Sequence, residues 1–139
     1  MQDTACGIRT YPVGPIFREG DDGDAMYVIR SGRVKITKSM YGIMVKIADL
    51  GPGDYFGEIA FLEAAPRSST AIAETPVEVD VYDHEALACH IASQPEFAFG
   101  MLRAMASRLR QIDDRLTDLV ARGRLPEEEA ANLGQHALY

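Results

Sequence analysis

Cysteine is scarce in this sequence. Cys6 and Cys89 are the only two, too few for a disulfide framework and not arranged as a Cys-x-x-Cys pair. Histidine is present but scattered, at positions 84, 90 and 136, with no spacing that would gather a metal site. Positive charge is also short. Fourteen Lys and Arg face 21 Asp and Glu, giving a net charge of −7. A chain without a basic surplus is a poor partner for the phosphate backbone of a nucleic acid, so no direct nucleic-acid contact is expected. No apolar run approaches the length of a membrane span. The opening "MQDTACGIRTYP" lacks the charged-then-apolar layout of a signal peptide. Together these absences lead us to expect a cytoplasmic protein without a membrane partner.

What is present is an ordinary globular composition. At 139 residues, 47% apolar and 25% charged, the chain is long enough for one domain with a real core. Residues 8 to 82 read as β. Turn signals recur at short intervals in "REGDDGD", "RSGR", "MYG" and "LGPGD". Between them lie "AMYVI", "VKITKS", "IMVKIADL", "TAIAET" and "VEVDVYD". The last alternates cleanly, with Val77, Val79 and Val81 on one face and Glu78 and Asp80 on the other. Short strands at this pace predict a small sandwich or barrel rather than a βαβ sheet. "GEIAFLE" interrupts them. It is rich in Ala, Leu and Glu and alternates weakly, so one or two helical turns are expected there.

After residue 82 the period changes. "DHEALACHIAS" fits a short helix capped by Asp83. "SQPE" then offers a capping box, Ser93 with Glu96, and places Pro95 in the first turn of a long helix reaching about Ala121. Its apolar residues are Leu102, Met105, Leu109, Ile112, Leu116 and Leu119, in alternating steps of three and four. That spacing is a heptad seam and predicts a homodimer through this helix. Gly123 ends it, and "LPEEEAANLG" is expected to form a last short helix with Pro126 early and Gly134 behind. The three glutamates there read as a solvated helix start.

The segment "FGEIAFLEAAPRSST", residues 56 to 70, poses the functional question. Glu58 and Arg67 sit nine residues apart among apolar and small side chains, and charges in such company need solvent or a specific partner. If a short helix starts at Gly57 and Glu58, its first N–H groups lack intrahelical partners and favour an anion. Gly57 allows close approach to the backbone. Arg67 supplies a planar fork of donors suited to phosphate. Ser68 and Ser69 add hydroxyl and amide donors, and the Glu58 carboxylate can accept from a sugar hydroxyl. An acid for ribose and an arginine for phosphate describe a nucleotide pocket. The plain alternative is a structural ion pair.

This segment resembles the phosphate-binding cassette of the cyclic-nucleotide-binding domains, a family found in bacterial activators, protein kinase regulatory subunits and gated channels. "IFREGDDGDAMYVIRSGRVKI" is similar to the family's opening strands and glycine turns, and "LGPGDYFGE" to its approach to the cassette. The resemblance covers residues 8 to about 120. It implies a fold that is mainly β with flanking helices: a double-stranded β-helix, or jelly-roll-like β-roll, followed by a long C-terminal helix. It also implies that Glu58 takes the ribose 2′-hydroxyl and Arg67 the cyclic phosphate. Backbone groups of Gly57, Ile59, Ala60 and Ser68 complete the shell. The helix 95–121 would cover the purine, with Ile112 and Asp113 at the positions that read it.

The domain reading is a β-roll over 1–94, with its cassette at 57–70 and a short helix, and a lid or dimerisation helix with tail over 95–139, in one domain. The expected function is a cyclic-nucleotide sensor, with cyclic AMP as ligand and cyclic GMP as the alternative, signalling through the long helix to an unidentified protein partner. No cofactor, metal or catalytic residue is expected, since no nucleophile–base pair or second catalytic carboxylate is visible. An enzyme of the cupin type, another small β-barrel, would need a His-x-His metal triplet, and the sequence has none. Nineteen residues follow Val120, too few for the helix-turn-helix of the family's transcription factors. The rivals are therefore a ligand-free β-roll that serves as an interaction or dimerisation module, and the excised regulatory domain of a larger regulator or channel.

Overall fold

The computed structural model describes residues 7–123. Eight strands come first: β1 (Gly7–Tyr11), β2 (Gly14–Phe17), β3 (Met26–Ser31), β4 (Val34–Met40), β5 (Ile43–Leu50), β6 (Tyr55–Phe56), β7 (Thr70–Ala73) and β8 (Val77–Tyr82). Helix α1 (Glu58–Glu63) sits between β6 and β7, and α2 (His84–Ser93) and α3 (Pro95–Ala121) follow the last strand. The strands form two four-stranded sheets, β1-β8-β3-β6 and β2-β7-β4-β5, with every pair antiparallel. This is the β-roll with a long C-terminal helix that the sequence predicts. The short strands β1, β2 and β6 are not individually legible in the sequence; two to five residues are too few to show a period.

The two sheets enclose one apolar core. Val77, Val79 and Val81 of β8 are 1%, 0% and 2% exposed, so the alternation read from the sequence holds residue by residue. The outward residues Glu78 and Asp80 lie 3.5 and 3.0 Å from Arg30 of the neighbouring strand. Tyr27, Phe56 and Phe17 stack through the middle of the core. The β4–β5 hairpin turns on Tyr41 and Gly42, whose φ angles are 53° and 78°. Two consecutive positive φ values are what a tight hairpin turn needs to follow the strand twist.

The chain divides into two units after Ala92. The first holds the sheets, α1 and nearly all of α2; the second holds α3. Helix α2 begins as expected, with the Ala86 N–H donating to Asp83 Oδ1 at 2.8 Å. Ser93 does not take the N-cap position of α3 that the sequence suggests. Ser93 is the last residue of α2, which leaves Gln94 as the N-cap of α3, with no side-chain capping bond. The two helices compete for Ser93, and the preceding one takes it. Pro95 opens α3 as its sequence position predicts, and Gly123 follows its C-cap with a φ of 69°. The short helix expected around Pro126 and Gly134, the acidic run at 127–129, Cys6 and His136 lie outside the described residues.

Candidate functional site

The cassette is built from the backbone outward. Gly57 adopts a φ of 80° as N-cap of α1, a conformation that side chains rarely tolerate. A Cβ here would lie 2.8 Å from Arg67 Nη1 and 3.4 Å from the rings of Phe17 and Tyr27. The glycine therefore serves two purposes, turning the chain into the helix and leaving room for the guanidinium. Ala64 closes α1 in the same left-handed region, with a φ of 52°. The chain then returns through Pro66 to Arg67, where a strap from residues 18–21 receives it. The Arg67 N–H donates to the Asp21 carbonyl at 2.7 Å, and the Gly20 N–H donates to the Arg67 carbonyl at 2.9 Å. The strap is itself tied, with the Arg18 N–H donating to Asp21 Oδ2 at 2.9 Å. Beyond it, the Glu19 N–H donates to Thr70 Oγ1 at 2.9 Å, and Glu19 Oε1 accepts from the Ser39 N–H at 3.0 Å.

Both charges singled out in the sequence are buried: Glu58 is fully enclosed and Arg67 is 3% exposed. An enclosed cation needs compensation, and Arg67 finds it in backbone oxygen and aromatic faces. Nη1 donates to the Gly57 carbonyl at 2.8 Å and Nη2 to the Ala25 carbonyl at 2.7 Å. Its Cζ lies 4.2 Å from the Phe17 ring centroid and 5.7 Å from that of Tyr27, within the range where a ring face attracts a cation. Burial pulls the guanidinium below its ordinary value, opposed by Tyr27, Asp24 and Asp21. It stays protonated because that ordinary value is so high. Burial also pushes the Tyr27 phenol up, Tyr11 adds to this, and Arg67 draws it back. Two of the five guanidinium N–H groups of Arg67 donate to the two carbonyls. The buried Nε has no hydrogen-bond partner among the described residues.

Of the residues predicted to form the site, Gly57, Glu58, Ile59 and Ala60 stand together at the start of α1, and Arg67, Ser68 and Ser69 on the returning segment. Gly57, Ala60 and Ser69 are buried, and Ile59 and Ser68 half-buried. Ile112 and Asp113 belong to the second unit, on α3, one half-buried and the other exposed. The heptad residues share that helix: Leu102 and Leu109 are exposed, and Met105, Ile112, Leu116 and Leu119 half-buried. Two histidines have aromatic neighbours, His84 stacked on Phe61 at 4.1 Å and His90 against Tyr82 at 5.4 Å. Sequence reasoning missed Phe17, Tyr27, Ala25 and the 18–21 strap. The signal lay in the arginine itself, since a buried guanidinium demands acceptors and faces that "FGEIAFLEAAPRSST" does not contain.

Comparison with known proteins adds to this geometry. The CRP-like cAMP-activated global transcriptional regulator of Mycobacterium tuberculosis is 39% identical over 106 residues, covering 76% of this chain and 47% of the regulator. The cyclic AMP receptor protein of Thermus thermophilus is 37% identical over 132 residues, 94% of this chain and 58% of that protein. The chain thus spans about half the length of the curated relatives it matches. In three dimensions it is similar to the crystal structure of the Thermus thermophilus catabolite activator protein, with a TM-score of 0.72, 30% identity, and coverage of 93% of this chain and 71% of that one. Among the described residues, no helix is long and apolar enough to cross a membrane. The cyclic nucleotide-binding domain family matches residues 12–93, a span that contains both sheets' core strands and the whole cassette. The chain belongs to the cyclic nucleotide-binding domain family.

Proposed function

We propose that this chain is a cyclic-nucleotide sensor that takes cyclic AMP at the cassette and reports occupancy through α3 to a protein partner. One observation carries the reading. Arg67 is an almost fully buried cation whose Nε–H has no acceptor in the described protein, and a buried unpaired donor is costly unless a ligand completes it. The cyclic phosphate is that acceptor. Glu58 accepts from the ribose 2′-hydroxyl, and Gly57, Ile59, Ala60, Ser68 and Ser69 line the rest. Ile112 and Asp113 of α3 read the purine in this account, and the helix acts as lid and dimer seam within a single functional domain. Nothing in the reading asks the chain to make or break a covalent bond, so it is a receptor and not an enzyme.

The relatives named for cyclic AMP support that ligand over cyclic GMP. Ser68, next to the arginine, fits a phosphate contact in this assignment. Calorimetric titration with both nucleotides tests it: cyclic AMP is expected to bind at least as tightly as cyclic GMP, and Asp113→Ala to narrow any preference. A clear cyclic-GMP preference abolished by Ser68→Ala overturns the choice of purine. The dimer rests on the exposed Leu102 and Leu109 within the heptad series. Sedimentation of Leu109→Asp or Ile112→Asp should show folded monomer where the unaltered chain sediments as dimer, and an unaltered chain that is monomeric at high concentration rejects the seam.

A further inference from the structure

Phe17 reaches the cassette through an irregularity in its strand. Along β2 and β7 the register runs Gly14 opposite Ala73 and Pro15 opposite Ile72, then skips to Phe17 opposite Ala71. Ile16 is the extra residue of a β-bulge. In an unbroken ladder Ile16 would face Ala71 and Phe17 would fall opposite Thr70, one position further on. Because side chains alternate with a period of two, a one-residue slip moves a side chain to the other face of the sheet. The bulge therefore turns Phe17 inward, to the core face it shares with Ala71. Bulges commonly re-aim a side chain in this way.

The inward ring meets the guanidinium of Arg67 with its face, 4.2 Å from Cζ. The ring is itself held, stacked on Tyr27 at 5.9 Å and tilted against Phe56 at 5.9 Å. Arg67 is thus fixed in two ways. The Phe17 ring lies against the guanidinium carbon, and the carbonyls of Gly57 and Ala25 occupy one hydrogen of each terminal nitrogen. Nε is the guanidinium nitrogen with no hydrogen-bond partner among the described residues. Apolar filling alone does not need an aromatic ring in this place; a π face adds an attraction for the cation that an aliphatic side chain lacks.

We infer that Phe17 is a positioning residue for anion recognition: its ring, turned inward by the bulge at Ile16, holds the Arg67 guanidinium in the plane that presents Nε–H to the ligand's phosphate. This rests on the cassette being the cyclic-nucleotide site. It predicts that affinity follows the electron density of the ring face and not merely the ring's volume.

Stepwise fluorination of Phe17, from one to three ring fluorines, drains that face with little change of shape. Affinity for cyclic AMP should fall at each step, by about three- to thirtyfold over the series, as expected for loss of a desolvated cation–π contact. The thermal midpoint should fall by a few degrees as well, because the ring also offsets the burial of the cation before ligand arrives, while each chain stays folded at the temperature of the titration. Phe17→Leu should weaken binding as the fluorinated chains do, Phe17→Tyr should retain most of the affinity, and the Phe17→Leu penalty should shrink in an Arg67→Ala background. Affinity that is flat or rises across the fluorine series, with tight binding by the unaltered protein, overturns the positioning role alone. An unaltered protein that binds neither cyclic AMP nor cyclic GMP overturns the cassette reading and this inference with it.

Discussion

Two stretches of this molecule invert the usual relation between hydropathy and burial. In the cassette, Glu58 is fully enclosed and Arg67 is 3% exposed, while at the tip of the β4–β5 hairpin Tyr41 is 90%, Ile43 65% and Met44 58% exposed. The hairpin is easily understood. Exposed apolar side chains are common enough to need no compensation. The cassette is the opposite case. Burying a guanidinium is costly, and the fold offsets that cost with two carbonyls, an aromatic face and a glycine whose missing Cβ makes the space. The informative departure from hydropathy is the buried charge.

The comparison breaks first at Arg67. Arg67→Ala removes the charged donor, and hydrogen bonds to charged groups are worth about 1.5–3 kcal/mol each, so affinity for cyclic AMP should drop about ten- to more than hundredfold by calorimetry. Gly57→Ala comes next. A methyl group at a φ of 80° and 2.8 Å from Nη1 strains the backbone and displaces the guanidinium together. Denaturant titration should show a loss of about 1–3 kcal/mol of stability, with weakened binding in the same protein. Glu58→Gln should weaken binding less than Arg67→Ala, because the amide oxygen still accepts from a hydroxyl; equal losses would mean the carboxylate's charge, and not its acceptor oxygen, is what the ligand meets. Smallest of all is Ile43→Lys at the hairpin tip. It should leave stability within about 0.5 kcal/mol and nucleotide affinity unchanged, and a larger loss would show that the hairpin's apolar side chains are covered after all.

Much of this architecture is legible in the amino-acid sequence. Val77, Val79 and Val81 announce their strand because alternation over six residues is a long signal for so short an element. Glu58 and Arg67 stand out because they lie in a run of mostly small and apolar residues, and both prove to be buried. Asp83 announces its helix because the cap acts within three residues of itself. What the sequence hides shares one cause, dependence on distant chain. Phe17 reads as one more apolar residue, since the bulge that turns it inward is fixed by pairing with Ala71. Ala25 contributes only a carbonyl, to which its side chain gives no clue. Ser93 misleads because a capping box read locally ignores the helix that already claims the serine.

In the function proposed above, the buried Arg67 receives the phosphate of a cyclic nucleotide. The most direct test of that function is isothermal titration of the 139-residue chain with cyclic AMP, beside Arg67→Ala measured under identical conditions and confirmed as folded by thermal denaturation. The account predicts saturable one-to-one binding by the unaltered chain and a loss of at least about tenfold in affinity for the variant. Undiminished binding by a folded Arg67→Ala protein, or no binding by the unaltered chain, would contradict it.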